Sequence, residues 1–305
     1  MATSSTSPTV RRDLYQHVTN RILEDLERGV RPWLKPWSTP NVGGSILPRR
    51  HNGIPYQGVN VLLLWSEAME RGYSATTWMT FRQALELGAN VRKGETGTLV
   101  VFADRITRVA EGDNEESIER SIAYLKSYIV FNVEQIDDLP PRYLPQTTTP
   151  TPIEIRHAQA EDFIAATRAV IRFGGGRAFY APALDLIQLP PLPAFRDTES
   201  YYTTALHELT HWTGHTSRCA RELGQRFGSD SYAFEELVAE LGSAFLCAEL
   251  GITPEVRDDH AAYLANWLDV LKQDKRAIFT AASHAQRAAD YLRGLQSAAL
   301  CGQQT

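Results

Sequence analysis

Cysteine is nearly missing from this chain. The three present, Cys219, Cys247 and Cys301, are odd in number and far apart, which excludes a disulfide framework and a Cys-type zinc cluster and leaves them as reduced bystanders. No uninterrupted apolar run approaches the roughly 20 residues that cross a bilayer, and residues 1–8 carry no apolar signal-peptide core. The expected location is therefore the cytoplasm, with no membrane partner. Internal repeats are absent too. So is a strong charge of one sign, since the net charge is only -5.

That small net charge hides an asymmetry. Residues 1–110 hold 14 Lys and Arg against 9 Asp and Glu, residues 111–150 hold 3 against 8, and residues 151–305 hold 14 against 19. An anionic partner would meet its counter-charge at the front of the chain. With 43% hydrophobic and 22% charged residues the composition is globular, and 305 residues suffice for two ordinary domains.

Local pattern divides the chain into an α+β first half and a mostly helical second half. Leu14, Val18, Ile22, Leu23 and Leu26 recur at helical spacing and predict a helix over about residues 11–28. Pro32, Pro36 and Pro40 then predict an extended segment bearing Trp33 and Trp37. A second helix is expected over 59–71. A short third one follows Thr80, which forms a capping box with Gln83. Residues 98–102 and 124–133 read as a β-hairpin separated by a solvated acidic loop. Five prolines and three consecutive threonines between Asp137 and Pro152 place a linker there. The expected division is 1–140, a linker over 141–153, and 154–305. The second domain should start with a helix over about 158–171, pass through Gly174-Gly175-Gly176 into a small sheet with a strand near 184–189, and continue as helices.

The chemistry concentrates in His207-Glu208-Leu209-Thr210-His211. Four residues of α-helix turn through about 400°, so the two histidines share one face and can grip one ion. Glu208, beside them, is placed as general base toward a water held by that ion, the role it has in the HExxH pattern. Asp197 or Thr198 should cap the helix and Gly214 should help end it. His215 cannot be the third ligand, because eight residues of helix span about 12 Å. The variant with a third histidine six residues past His211 is excluded as well, since position 217 is serine. The remaining source is the acidic stretch after Tyr232. There Glu236 can complete the metal set while Glu240, one turn on, hydrogen-bonds a ligand histidine. Glu235 points about 100° away and reads as solvated. Tyr232, Tyr201 and Tyr202 are candidate oxyanion donors. One Zn2+ per chain is expected, with Mn2+ or another divalent ion as a substitute.

In the front half, Trp33, Trp37, Trp65 and Trp78 interleave with Lys35, Arg49, Arg50 and Tyr56. Unpaired bases stack on aromatic rings while Lys and Arg follow the phosphates, so this composition suits single-stranded nucleic acid. Trp33, Lys35, Trp37, Arg49, Arg50 and Tyr56 are the candidate contacts, whereas Trp65, inside an apolar run, should be buried.

Both halves resemble one family. Pro32-Trp33-Leu34-Lys35-Pro36-Trp37, Gly53-Ile54-Pro55-Tyr56-Gln57-Gly58, Trp78-Met79-Thr80-Phe81-Arg82-Gln83 and Val91-Arg92-Lys93-Gly94-Glu95 are similar to the amino-terminal domain of ArdC-type plasmid antirestriction proteins, shared with certain conjugative plasmid primases. Tyr180-Ala181-Pro182-Ala183-Leu184-Asp185, the HExxH helix and the stretch from Tyr232 to Phe245 continue the resemblance. It implies an α+β single-stranded DNA-binding domain joined to a zincin-like metallopeptidase domain with a small sheet. It also implies protection of incoming DNA from host restriction. Which protein the metal site would cleave does not follow from the resemblance; a host restriction or regulatory protein is the candidate substrate. Two other readings stay open: a non-catalytic DNA-binding protein with a structural metal, and a nuclease. The two-histidine helix argues against the second, because phosphodiester nucleases favour oxygen-rich, paired metals.

Overall fold

The computed structural model describes residues 13–34, 46–111, 117–143, 152–223, 230–253 and 260–301. Helix α1 (Leu14–Glu27) starts where the Asp13 carboxylate accepts the Gln16 N–H, and it buries the stripe Val18, Ile22, Leu26. Helix α2 (Val59–Arg71) matches its expected range and stops at Gly72, whose φ of 73° only glycine adopts without strain. The expected capping box is present: Thr80 and Gln83 satisfy each other's backbone N–H groups at the start of α3 (Phe81–Glu86).

Strands β1 (Arg49–Arg50), β2 (Thr77–Thr80), β4 (Thr98–Glu111) and β5 (Ser117–Asn132) form one sheet in the order β1-β2-β5-β4. Two short strands, β3 (Asn90–Val91) and β6 (Ile136–Asp137), pair beside it. The β4–β5 ribbon is longer than the sequence pattern indicated, pairing continuously from Thr98↔Val130 to Glu111↔Ser117. Once the register is set at its base, backbone hydrogen bonds carry the ladder on past the residues with apolar alternation.

In the second half, α4 (Ile153–Ala166) begins earlier and ends earlier than expected. Arg168 at φ 55° breaks the helix, and the Thr167 hydroxyl caps the Ile164 carbonyl. Val170 and Ile171, read as helical, instead open β7 (Val170–Phe173), which suits their β-branched side chains. With β8 (Phe179–Ala181) and β9 (Leu186–Leu189) it forms a three-stranded sheet ordered β7-β9-β8. Helices α5 (Thr198–Thr213), α6 (Asp230–Leu250), α7 (His260–Gln273) and α8 (Ala277–Cys301) complete the chain. No helix among the described residues is long and apolar enough to cross a membrane.

The two halves share one core. Ile22, Trp33, Leu62 and Trp65 from the first pack in the same buried cluster as Leu206, Phe245, Trp267 and Ala281 from the second. The Trp33 and Trp267 rings meet edge-on with centroids 6.1 Å apart, and Trp65 meets Phe245 at 6.0 Å. The Ile46 N–H donates to the Ala248 carbonyl at 2.9 Å. The interior is therefore continuous across the expected division at 141–153.

Helices α5 and α6 approach closely at Gly242, where an added Cβ would lie 2.5 Å from Thr210 Cγ2. Gly294 on α8 faces open space. Gly242→Ala should thus destabilise the protein by about 1–3 kcal/mol through overpacking, and Gly294→Ala should stabilise it by up to about 1 kcal/mol through helix propensity. Denaturant unfolding of both variants checks this, and equal effects would contradict the close approach.

Candidate metal centre

Helix α5 is capped by Asp197, whose carboxylate accepts the Ser200 N–H at 2.7 Å, and it closes at Gly214. Between these ends it is almost wholly buried, so His207 and Glu208 are only 2% and 3% exposed. The two imidazoles face each other with Nε2 atoms 3.1 Å apart. Glu236 on α6 closes the triangle, with one oxygen 3.5 Å from His207 Nε2 and the other 3.5 Å from His211 Nε2.

These separations are close to what a divalent ion needs. Donors bound at about 2.0–2.2 Å in tetrahedral directions stand roughly 3.3–3.6 Å from one another; both Glu236 separations fall in that range, and the two histidine nitrogens at 3.1 Å need part only slightly. Among the described residues, His207, His211 and Glu236 form the one such group.

Behind the donors a second set of carboxylates holds the rings. Glu240 Oε1 lies 3.3 Å from His207 Nδ1, the place expected for it. Glu235 Oε1 lies 3.1 Å from His211 Nδ1. Solvation of Glu235 was expected, and the structure corrects that: it is 4% exposed. Its oxygens are held by Arg221 through Nε at 3.0 Å and a terminal nitrogen at 2.8 Å. Arg221, itself buried, also donates to the Thr213 hydroxyl and the Thr210 carbonyl. It comes from the segment after α5, where no periodicity marked it. His211 is thereby fixed through Nδ1, Glu240 stands beside the Nδ1 of His207, and both rings present Nε2 to the centre.

Charge in this cluster is strongly coupled. Burial opposes the imidazolium of His211, but the Glu236 and Glu235 carboxylates outweigh it and push its pKa up to about 10. Burial likewise opposes ionisation of Glu236, and His211 with His207 reverses this and holds it well below the usual carboxylate range. Burial followed by the Tyr263 contact pushes the Tyr232 phenol up.

A cavity of about 430 Å³ opens onto His207, Glu208, His211 and Glu236. Tyr232 lines it as expected, joined by Tyr263 of α7, whose hydroxyl is 3.4 Å from that of Tyr232. Tyr263 was not foreseen, since an aromatic in an amphipathic helix carries no signal of its own. Tyr201 and Tyr202 do not belong here. Both are buried away from the cavity, Tyr201 against Phe195 and Tyr202 donating to Glu161. His215 bonds Ser217 and stays outside as well.

The candidate nucleic-acid contacts are not gathered in the same way. Trp33 is 1% exposed and packed on Trp267, so it cannot offer a face to a base, which corrects its assignment. The turn from Arg31 to Leu34 tucks its indole inward. Lys35 and Trp37 lie outside the described residues. Arg50 is exposed on β1, above the ring of Tyr56 at 5.5 Å, and that ring is itself buried. Arg49 precedes it on the same strand. Trp65 is buried as expected, its indole donating to the Ile46 carbonyl.

With its pKa raised to about 10, His211 carries its proton at pH 7, and a ligand imidazole must be neutral, so an entering ion displaces that proton. Apparent affinity should rise about tenfold per pH unit between roughly pH 7 and 9, with about one proton released per ion. Calorimetry in buffers of different ionisation enthalpy measures this. Binding without proton release would show that His211 is already neutral in the metal-free protein.

Comparison with known proteins agrees with this geometry in both halves. A model of the N-terminal domain of anti-restriction factor ArdC matches residues 12–131, and a zincin-like metallopeptidase model matches residues 158–284. Uncharacterized protein y4eC of Sinorhizobium fredii (strain NBRC 101917 / NGR234) is 40% identical over 97% of this chain and 96% of its own length. DNA primase TraC of Escherichia coli is 39% identical over 93% of this chain, which spans only 27% of that primase. The crystal structure of antirestriction ArdC protein from the R388 plasmid superposes with a TM-score of 0.79 in its metal-free form, at 46% identity over 93% of this chain and 98% of that one. Its Mn(II)-bound form gives 0.77. With a near full-length relative, both family regions and the solved fold in agreement, the chain belongs to the ArdC antirestriction family, with a zincin-like domain in its second half.

Proposed function

We propose that this protein is a metal-dependent peptidase that also binds single-stranded DNA and shields DNA entering a cell from restriction. The observation that carries the hydrolytic reading is the preformed triangle of His207, His211 and Glu236 with Glu208 on the same cavity wall. A purely structural ion would call for a fourth protein donor, and none joins the three among the described residues. Ligand type favours zinc, and Mn(II) occupies the R388 homologue.

A divalent ion held by these three side chains supplies Lewis acidity, bringing the pKa of water toward about 7. The protein's own groups do the rest. Glu208 accepts the water's proton and returns it to the leaving nitrogen. Tyr232, kept protonated by its raised pKa, donates a hydrogen bond to the oxygen on which charge develops. Glu240, and Glu235 backed by Arg221, keep both imidazoles aimed inward.

The DNA-binding part rests on the first half. Its match to the anti-restriction factor domain and to part of a DNA primase accords with the basic surplus of residues 1–110.

Glu208→Gln keeps shape and removes the base. It should retain its metal by elemental analysis and lose peptide hydrolysis by a factor of roughly 10² or more. Cells carrying the native chain should show protein fragments that are missing with the variant. Equal fragment sets would reject the peptidase. Survival of DNA protection in the same variant would separate protection from hydrolysis.

A further inference from the structure

Among the described residues of the first half, five arginines are cancelled where they stand. Arg21 meets Glu70, Arg28 meets Asp25, Arg71 meets Glu67, Arg82 meets Glu86, and Arg92 meets Glu95 and Asp137. Arg49, Arg50 and Arg142 are different: among the described residues they contact rings and a backbone carbonyl and form no ion pair. Arg50 and Arg142 are exposed and Arg49 is half-buried; a cation outside any salt bridge can meet a phosphate without first breaking one.

The three are brought together by the fold. Arg50 opens a tight turn in which the Gly53 N–H donates to the Arg50 carbonyl and the Arg50 N–H donates to the Ile54 carbonyl, both at 2.8 Å. Gly53 takes φ 83° to close it. Arg49 reaches across to the Gly53 carbonyl at 3.1 Å. From some ninety residues further on, the Tyr143 hydroxyl donates to the His51 carbonyl at 3.1 Å, which docks Arg142 and Tyr143 against the turn. The Arg142 guanidinium lies 4.8 Å over the Tyr143 ring, as Arg50 lies over Tyr56.

We infer that this turn, with Arg49, Arg50 and Arg142 around His51 and Ile54, is the surface that grips the backbone of single-stranded DNA. The inference rests on the DNA-binding part of the proposed function and supplies the site that Trp33 cannot. Stacking on tyrosine holds two guanidiniums in place, so less side-chain freedom is lost on binding, and their edge N–H groups remain for phosphate oxygens. Ile54, 52% exposed at the turn, and the half-buried Tyr143 ring offer apolar contact to a base. A base can use them only when unpaired, which selects single strands over duplex.

The test uses the full chain and a fluorescent oligothymidylate of about 20 nucleotides. Arg50→Ala combined with Arg142→Ala should weaken binding roughly tenfold or more and flatten the plot of log affinity against log salt by about 0.7 for each arginine removed. Arg71→Ala with Arg82→Ala, which removes two ion-paired cations, should change neither. Circular dichroism confirms that both doubles fold, as expected for exposed side chains. If the native chain binds and the first double matches it in affinity and slope, the turn is not the surface, while DNA binding by the protein stands. If duplex of equal length competes as well as single strand, the assignment of partner fails. A native chain without salt-dependent binding overturns both this inference and the reading beneath it.

Discussion

Everything at the metal centre depends on how closely α6 can lie against α5. Gly242 sets that distance, because its missing side chain is where Thr210 goes. Thr210 is fully buried and turns its hydroxyl to the Leu206 carbonyl of its own helix, leaving its methyl toward the glycine. From the next residue on α6, the Ser243 hydroxyl donates to the Thr203 carbonyl, about two turns before Thr210 on α5, and pins the same crossing. With the axes fixed there, Glu236 reaches both histidine Nε2 atoms and Glu240 reaches His207 Nδ1. The functional residues sit on two rigid helices, a more exact placement than loops provide.

The same crossing concentrates negative charge. Glu208, Glu235, Glu236 and Glu240 are all buried, and Arg221 is the cation packed among them. Ionised carboxylates cost several kcal/mol each to bury unless they are compensated, so four carboxyl groups buried around one arginine favour a further cation. Retention of a proton by His211 is a partial answer, and it follows from the same imbalance. A divalent ion is a fuller one, because it meets the donors directly and frees that proton. Affinity for a dication is thus a property of the whole buried cluster, to which Glu235, Glu240 and Arg221 contribute without being ligands.

How much of this was legible beforehand follows from which periodicities constrain which residues. His207, Glu208 and His211 were readable because a helix puts i and i+4 on one face whatever surrounds it. Glu236 and Glu240 were readable for the same reason, once a second helix was needed to complete the metal set. Glu235 was misread because angular position on a helix does not tell what covers that side. What covers it is Arg221, delivered by an irregular segment. Trp33 was misread on the opposite ground: prolines on either side suggested an extended segment with accessible side chains, and only the packing of α7 decides that its ring is interior. The end of α4 was missed because a single residue at positive φ, Arg168, outweighs the helical run before it.

The position of Trp33 also bears on how the halves work together. Its ring touches Trp267, Trp267 stacks on Tyr263 at 6.2 Å, and Tyr263 meets Tyr232 at the cavity. Four aromatic rings therefore run in contact from the first half of the sequence to the wall of the metal site. Interiors packed at this density do not deform independently, and cutting the chain at the linker would expose Trp33, Leu62 and Trp65 on one side and Phe245 and Trp267 on the other. Fusion of the two family regions thus has a structural ground in the shared core. It accounts for why relatives as different in length as y4eC and the TraC primase carry the two regions together, at similar identity across nearly all of this chain.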